Sequence, residues 1–257
     1  IRREGPETCL AFIVEPIGGA STGALVPPEG YLKRIREICD EYGLLLIYDE
    51  VMTGAGRTGK FLGADHWPDA APDIISMSKG FAAGYSPLGA MAAHRKLVEP
   101  VLDHGGFIHG YTYAGNPLAC AAGLGVLEEI ERQDLVGRAE TMGAKLKIAL
   151  EGLMDRYPFI IDVRGRGLLL AFELGRDRET MATLPTEMNG FVDLVEEAYK
   201  RHLIIYSRRT RGGREGEHFL VCPPLILEDK HIDEILEKLT GALDAFAKKN
   251  GLPVEGA

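Results

Sequence analysis

The stretch "EGYLKRIREICDEYGLLLIYDE" (29–50) decides the fold class. Its first part places Leu32, Ile35, Ile38, Cys39 and Tyr42 on one face at helical spacing. Gly43 then supplies a residue that can stop the helix in the left-handed region. "LLLIYDE" (44–50) follows as a near-continuous apolar run, the pattern of a strand buried on both faces. A helix delivered directly into such a strand is half of a strand–helix–strand unit. Upstream, "LAFIVE" (10–15) reads as the strand before it. Downstream, "DIISMS" (73–78) and "LGAMAAH" (88–94) read as the third and fourth. The expectation is an α/β unit with a mostly parallel sheet covered by helices.

From Pro117 the pattern turns helical, through "PLACAAGLGVLEEIERQ" and "LVGRAETMGAKLKIALEGLMDRY". The second half then differs. "FIIDVRGRGLLLAFEL" (159–174) reads as two strands around a Gly-Arg-Gly turn. "GFVDLVEEAYKRH" (190–202) is helical, "LIIYS" and "HFLVCPP" are strand-like, and "DKHIDEILEKLTGALDAFAKKN" (229–250) is a closing amphipathic helix. This mixture predicts a smaller α+β domain. The boundary is placed near residue 130, giving domains 1–130 and 131–257. The end, "GLPVEGA", is expected to fray.

The bulk numbers fit a globular protein. Of 257 residues, 46% are hydrophobic and 26% charged. The net charge of −9 argues against a general nucleic-acid or anionic-membrane binder. Cys9, Cys39, Cys120 and Cys222 show no CxxC or Cys/His spacing, so neither a disulfide framework nor a metal site is expected. They read as buried thiols in a reducing, cytoplasmic compartment. Ile1 stands almost against the first strand, which suggests that an N-terminal part precedes it.

In a parallel sheet the ligand site lies beyond the carboxyl ends of the strands. Three of the expected strands end in ionisable residues: Glu15, then Asp49 with Glu50, then Lys79. Strand ends meet water, so one such residue means little. An aspartate and a lysine at one edge mean more. A lysine in a partly dry site becomes a nucleophilic amine and can form a Schiff base. An aspartate beside a pyridine nitrogen keeps that nitrogen protonated. The pair suits pyridoxal 5'-phosphate (PLP), whose ring acts as an electron sink. Gly-rich turns follow both residues, but neither is a GxGxxG or GxxxxGK[ST] nucleotide motif.

The longer motifs "IYDEVMTGAGRTGKFLGADHW", "PDIISMSKGFAAGYSPLGAMA" and "HGYTYAGNPLACAAGLGVL" resemble the class III aminotransferases, PLP-dependent enzymes of fold type I. "VEPIGGASTGALVPPEGYL" and "VCPPLIL" match that pattern too, so the resemblance runs from about residue 10 to residue 245. It implies Lys79 as the Schiff-base lysine and Asp49 as the partner of the ring nitrogen. It implies Val51 on one ring face, and Thr112 on the cofactor phosphate of the partner subunit's site in a homodimer. Glu15 is implied near the site. Some relatives acting on ornithine or 4-aminobutyrate carry a glutamate where this chain has Ala20, which tilts the resemblance towards omega-amino acid:pyruvate enzymes. A substrate-carboxylate arginine is implied ahead of "CPPL", among Arg208, Arg209, Arg211 and Arg214, with Arg208 chosen; the alternative is a solvated basic loop. The family's upstream half supplies a phosphate-binding turn and an aromatic residue for the other ring face. Neither has a counterpart here, so the chain is expected to be the C-terminal portion of such an enzyme. Two alternatives stand beside transamination of a 2-oxo acid: an aminomutase or racemase using the same Lys79 and Asp49, and a shortened chain with little activity alone.

Overall fold

The structure, a computed structural model, describes residues 1–256. The chain divides into two compact units. Ile1–Pro16 and Pro27–Leu135 form the first; Ile17–Val26 and the chain from Val136 onward form the second.

The first unit is built on a four-stranded sheet of β1 (Ala11–Val14), β2 (Leu45–Asp49), β3 (Ile74–Met77) and β4 (Ala90–Ala93), in that order. β1, β2 and β3 run parallel and β4 is antiparallel to β3. The crossover from β1 to β2 carries α1 (Tyr31–Tyr42), as the opening stretch predicts. Gly43 ends it at φ +68°, with its N–H turned back to the Asp40 and Cys39 carbonyls. Leu32 and Cys39 of α1 bury against Leu44, Leu46, Tyr48, Ala64 and Ala70. Tyr48 has its hydroxyl on the Ala70 carbonyl at 2.8 Å, so the one polar atom of this buried ring is satisfied. Asp73 accepts from Leu46 N at 2.9 Å and pairs with Arg36 at 2.8 Å, pinning α1 and the entry to β3.

α2 (Arg95–Asp103) has no counterpart among the sequence expectations, because Pro100 inside it breaks the pattern. α3 (Pro117–Arg132) starts where the sequence turns helical. Asn116 caps it, with Oδ1 accepting from Leu118 N and Ala119 N.

The second unit contains α4 (Leu135–Arg156) from Val136 onward, β5 (Ile160–Arg166), β6 (Leu169–Leu174), α5 (Gly190–Tyr199), β7 (Tyr206–Arg209), β8 (Glu217–Val221) and α6 (Asp229–Asn250). Its sheet is antiparallel, ordered β5-β6-β8-β7. One face carries Val163, Phe172 and Phe219 into a core with Leu146, Leu150, Leu239, Leu243 and Phe246. Phe172 and Phe219 stack across the strands at 5.0 Å. The fold class matches the expectation: a mostly parallel sheet with helices, then an α+β unit.

Several details are corrected. The β5–β6 turn is Gly167–Leu168, and Gly165 and Arg166 belong to the strand. The basic segment is part strand and part turn: Arg208 and Arg209 stand on β7, opposite His218 and Glu217 of β8, and Arg211 and Arg214 lie in the connection between the two strands. Of the four free cysteines only Cys39 is buried; Cys9 is half-buried, and Cys120 and Cys222 are exposed. The tail is anchored, not frayed: Leu252 and Val254 pack on the core, and Glu255 N donates to the Arg156 carbonyl at 2.9 Å. Ala257 lies outside the described residues. Among those residues no helix is long and apolar enough to cross a membrane.

Candidate active site at the parallel strand ends

The parallel register brings Val14 beside Tyr48, and Asp49 beside Ser76. Glu15, Asp49 and the residues after Met77 therefore leave the sheet at one edge, where ligands of open α/β sheets bind. Alternation along β2 buries Leu46 and Tyr48 against α1 and leaves Leu45, Ile47 and Asp49 half-buried on the other face.

Asp49 and Glu50 look equivalent in sequence, but the structure separates them. Glu50 is 1% exposed. Its Oε1 accepts from Ala64 N at 2.7 Å, and its Oε2 accepts from Gly63 N at 2.8 Å and from the Thr53 hydroxyl. Burial pushes its carboxyl above the ordinary range, against the pull of these three donors. Glu50 thus ties the 53–64 loop back to the end of β2. Glycine is needed around it: a Cβ on Gly63 would lie 2.9 Å from Oε2, and one on Gly54 would lie 2.9 Å from the Glu50 carbonyl. Asp49 is held once, by Val51 N on Oδ1 at 3.0 Å. Its Oδ2 accepts no hydrogen bond from the described residues. The half-buried Val51 follows directly.

Lys79 opens a short 3-10 turn, Lys79–Phe81, just past β3. Its side chain is exposed and its φ is +44°, a left-handed conformation uncommon outside glycine and often found where a residue is held for function. Gly80 lies close to Ala55 of the loop after Asp49, where an added Cβ would meet the Ala55 methyl at 3.2 Å. Asp49 and Lys79 therefore belong to the same sheet edge. A carboxylate with one uncommitted oxygen and an exposed amine form a donor set that fits a cofactor bearing a basic ring nitrogen and an aldehyde. Thr112 lies elsewhere in the first unit, exposed in an irregular segment between Tyr111 and Tyr113, which are 79% and 81% exposed. Glu15 is half-buried at the end of β1.

The sequence of this chain matches the family model "Aminotransferase class-III" over residues 1–243. The chain belongs to the class III aminotransferases. It is 38% identical to the taurine–pyruvate aminotransferase of Bilophila wadsworthia, covering 96% of this chain and 55% of that relative. It is also 38% identical to a leucine/methionine racemase of Thermococcus litoralis, covering 91% of this chain and 49% of that protein. A PLP-bound amine transaminase from an uncultivated Pseudomonas species superposes with a TM-score of 0.86 at 38% identity, over 95% of this chain and 54% of its own. This class III chain spans about half the length of the relatives it matches.

In the second unit, the arginines ahead of "CPPL" divide by their partners. Arg209 lies over the Phe191 ring at 4.7 Å and donates to the Thr186 carbonyl at 2.9 Å. Arg211 donates to the Met181 carbonyl at 2.8 Å. Arg208 is exposed and lines a cavity of about 630 Å³ with Ser21, Phe191, Ser207, Arg209 and two glycines. Arg209 and Arg211 are committed to the protein; Arg208 and the exposed Arg214 are not, and of these two Arg208 lines the cavity. Sequence reasoning missed Arg164 and His218, which grip the 17–26 segment. A charged residue inside a strand and a histidine beside a glycine-rich turn carry no pattern that marks them.

Proposed function

We propose that the protein is a PLP-dependent aminotransferase that moves an amino group from an amine or amino acid to a 2-oxo acid such as pyruvate, in a ping-pong cycle. The observation that carries this reading is the placement of Asp49 and Lys79 at the carboxyl ends of neighbouring parallel strands, one with an uncommitted oxygen and the other with an exposed amine. When bound, PLP supplies an aldehyde for amine exchange and a ring that takes up the electron pair left on the substrate carbon. Asp49 would orient the ring nitrogen and keep its proton in place. Lys79 Nζ would hold the cofactor covalently at rest. Once released, it would take a proton from the substrate carbon as base and then, as acid, deliver it to the cofactor carbon. Val51 would pack on one ring face. Arg208 would take a substrate carboxylate in a two-pronged grip, and Glu15 would support the polar edge. Thr112 would serve the phosphate of the partner subunit's site in a homodimer with shared sites. On this reading, residues 1–130 are the C-terminal part of a large PLP-binding domain, 131–257 are the small domain, and the enzyme works in the cytoplasm.

The test is Lys79→Ala in the full-length protein. Borohydride should fix PLP to the parent and not to the variant, and turnover should fall by orders of magnitude. A variant that keeps both overturns the assignment. Similarity to a leucine/methionine racemase supports a second reading, isomerisation on the same Lys79 and Asp49. Amino donor supplied without a 2-oxo acid separates the two. A transaminase stops after one half-reaction, whereas a racemase continues.

A further inference from the structure

The segment 17–26 leaves the end of β1 just after Glu15 and Pro16 and packs within the second unit. It has no helix or strand. Internal bonds shape it: Gly18 N donates to the Leu25 carbonyl at 2.8 Å, and Gly23 N to the Gly19 carbonyl at 2.9 Å. Two side chains of the antiparallel sheet then hold three of its carbonyls. Arg164 donates from Nε to Gly23 at 2.7 Å and from Nη2 to Thr22 at 3.1 Å. His218 Nε2 lies 2.9 Å from the Ala20 carbonyl. A carbonyl only accepts, so Nε2 carries the hydrogen. Nδ1 is buried with no partner among the described residues. The ring sits so close to Gly23 that a Cβ there would fall 2.4 Å from ring Cγ, at a backbone φ of +67°.

His218 belongs to a row across the sheet in which Asp162 faces Glu173, Glu173 faces His218, and His218 faces Arg208. Directly opposed residues share a face. Arg164 reaches the same face and is bound to Asp162 at 2.7 Å and Glu173 at 2.6 Å. The charged groups around the ring are therefore Arg164 and Arg208, with Glu173 already paired. Ser21, next to Ala20, lines the cavity that Arg208 lines.

We infer that His218 is a positioning residue: uncharged, it fixes the Ala20–Gly23 turn and the Ser21 wall of the Arg208 cavity, and it thereby tunes carboxylate binding there. This rests on the proposed role of Arg208. A second proton would go to Nδ1, into a buried place with no acceptor among the described residues. Burial first, then Arg164 and Arg208, hold the imidazole below its ordinary value of 6.5, against the opposing pulls of the Ala20 carbonyl and Glu173. Acid therefore charges the ring at the expense of its fit against Gly23 and the turn.

The experiment uses His218→Gln, His218→Ala and Arg208→Ala in the full-length protein. Hydrogen exchange of the peptide spanning 17–26, read by mass spectrometry on cofactor-free protein, gives protection factors at pH 8 and pH 5.5. The parent should lose protection at the lower pH. His218→Ala should lose about tenfold at both, the scale of one hydrogen bond. His218→Gln, whose amide can donate to the Ala20 carbonyl, should keep protection with no pH step. With PLP, His218→Ala should raise KM for a 2-oxo acid while kcat stays within about twofold. Unchanged protection in His218→Ala, or a parent-like pH step in His218→Gln, overturns the role of His218. A kcat loss with unchanged KM in His218→Ala overturns the link to the cavity. An unchanged KM in Arg208→Ala overturns the reading of Arg208 itself, and the exchange result still judges His218.

Discussion

At the scale of single residues, Asp49 and Glu50 carry the same charge one position apart and do opposite work. Alternation along β2 turns Glu50 into the protein and leaves Asp49 at the edge. Both Glu50 oxygens accept main-chain N–H groups, so neither can be exchanged for an amide nitrogen without setting donor against donor. Glu50→Gln should therefore cost about 1–3 kcal/mol of stability, the price of an unmet buried polar group. Urea unfolding would measure it, and a loss well under 0.5 kcal/mol would mean that the loop is held by something else. The lysine was legible as a candidate from its place at a strand end, and the aspartate gave it a chemical partner. Glu50 was legible only as another charged strand end, because burial of a side chain is set by packing and not by neighbouring letters.

At the scale of elements, close backbone approach explains more than propensity does. α4 carries Gly143 in mid-helix, which on propensity alone costs about 1 kcal/mol relative to alanine. The reason is the β5–β6 turn: a Cβ on Gly143 would lie 2.2 Å from the Gly167 carbonyl oxygen. Gly143→Ala should thus destabilise by about 1–3 kcal/mol despite its better helix propensity. A thermal melt would show it as a lowered Tm, and a raised Tm would refute the contact. α5 shows the same economy. Gly190 starts the helix with the Glu217 carboxylate against it, where a Cβ would fall 2.3 Å from Oε2. A carboxylate beside the first turn of a helix faces its positive end. α1 and β2 were readable because period and cap agreed. α2 was not, since Pro100 sits inside it and breaks the helical pattern.

At the scale of the whole molecule, pH response follows from groups whose proton affinity folding changes. His218 is held below its ordinary value, chiefly by burial, so the unfolded chain binds the proton more readily. Its contribution to stability is complete above about pH 6.5 and is lost as pH falls through the lower folded value. Asp73 adds a second step. Burial alone would raise its carboxyl, but Leu46 N, Arg36 and Lys96 outweigh that and lower it. Its stabilisation is present above its ordinary value of 3.8 and disappears below it. Urea midpoints should therefore fall in two stages on acidification, with the first stage absent in His218→Gln. A single stage in the parent would contradict this. The sequence alone determined the α/β-then-α+β order, the parallel strands and the edge that gathers Asp49 and Lys79. Those follow from hydrophobic period, strand polarity and caps, which are local properties of the chain. Tertiary structure alone decided which of two adjacent carboxylates stays open, which arginines of the basic run are tied to the protein, and which sheet takes the 17–26 segment. Those depend on contacts between residues up to 198 positions apart, such as Ala20 and His218, and no local pattern encodes them.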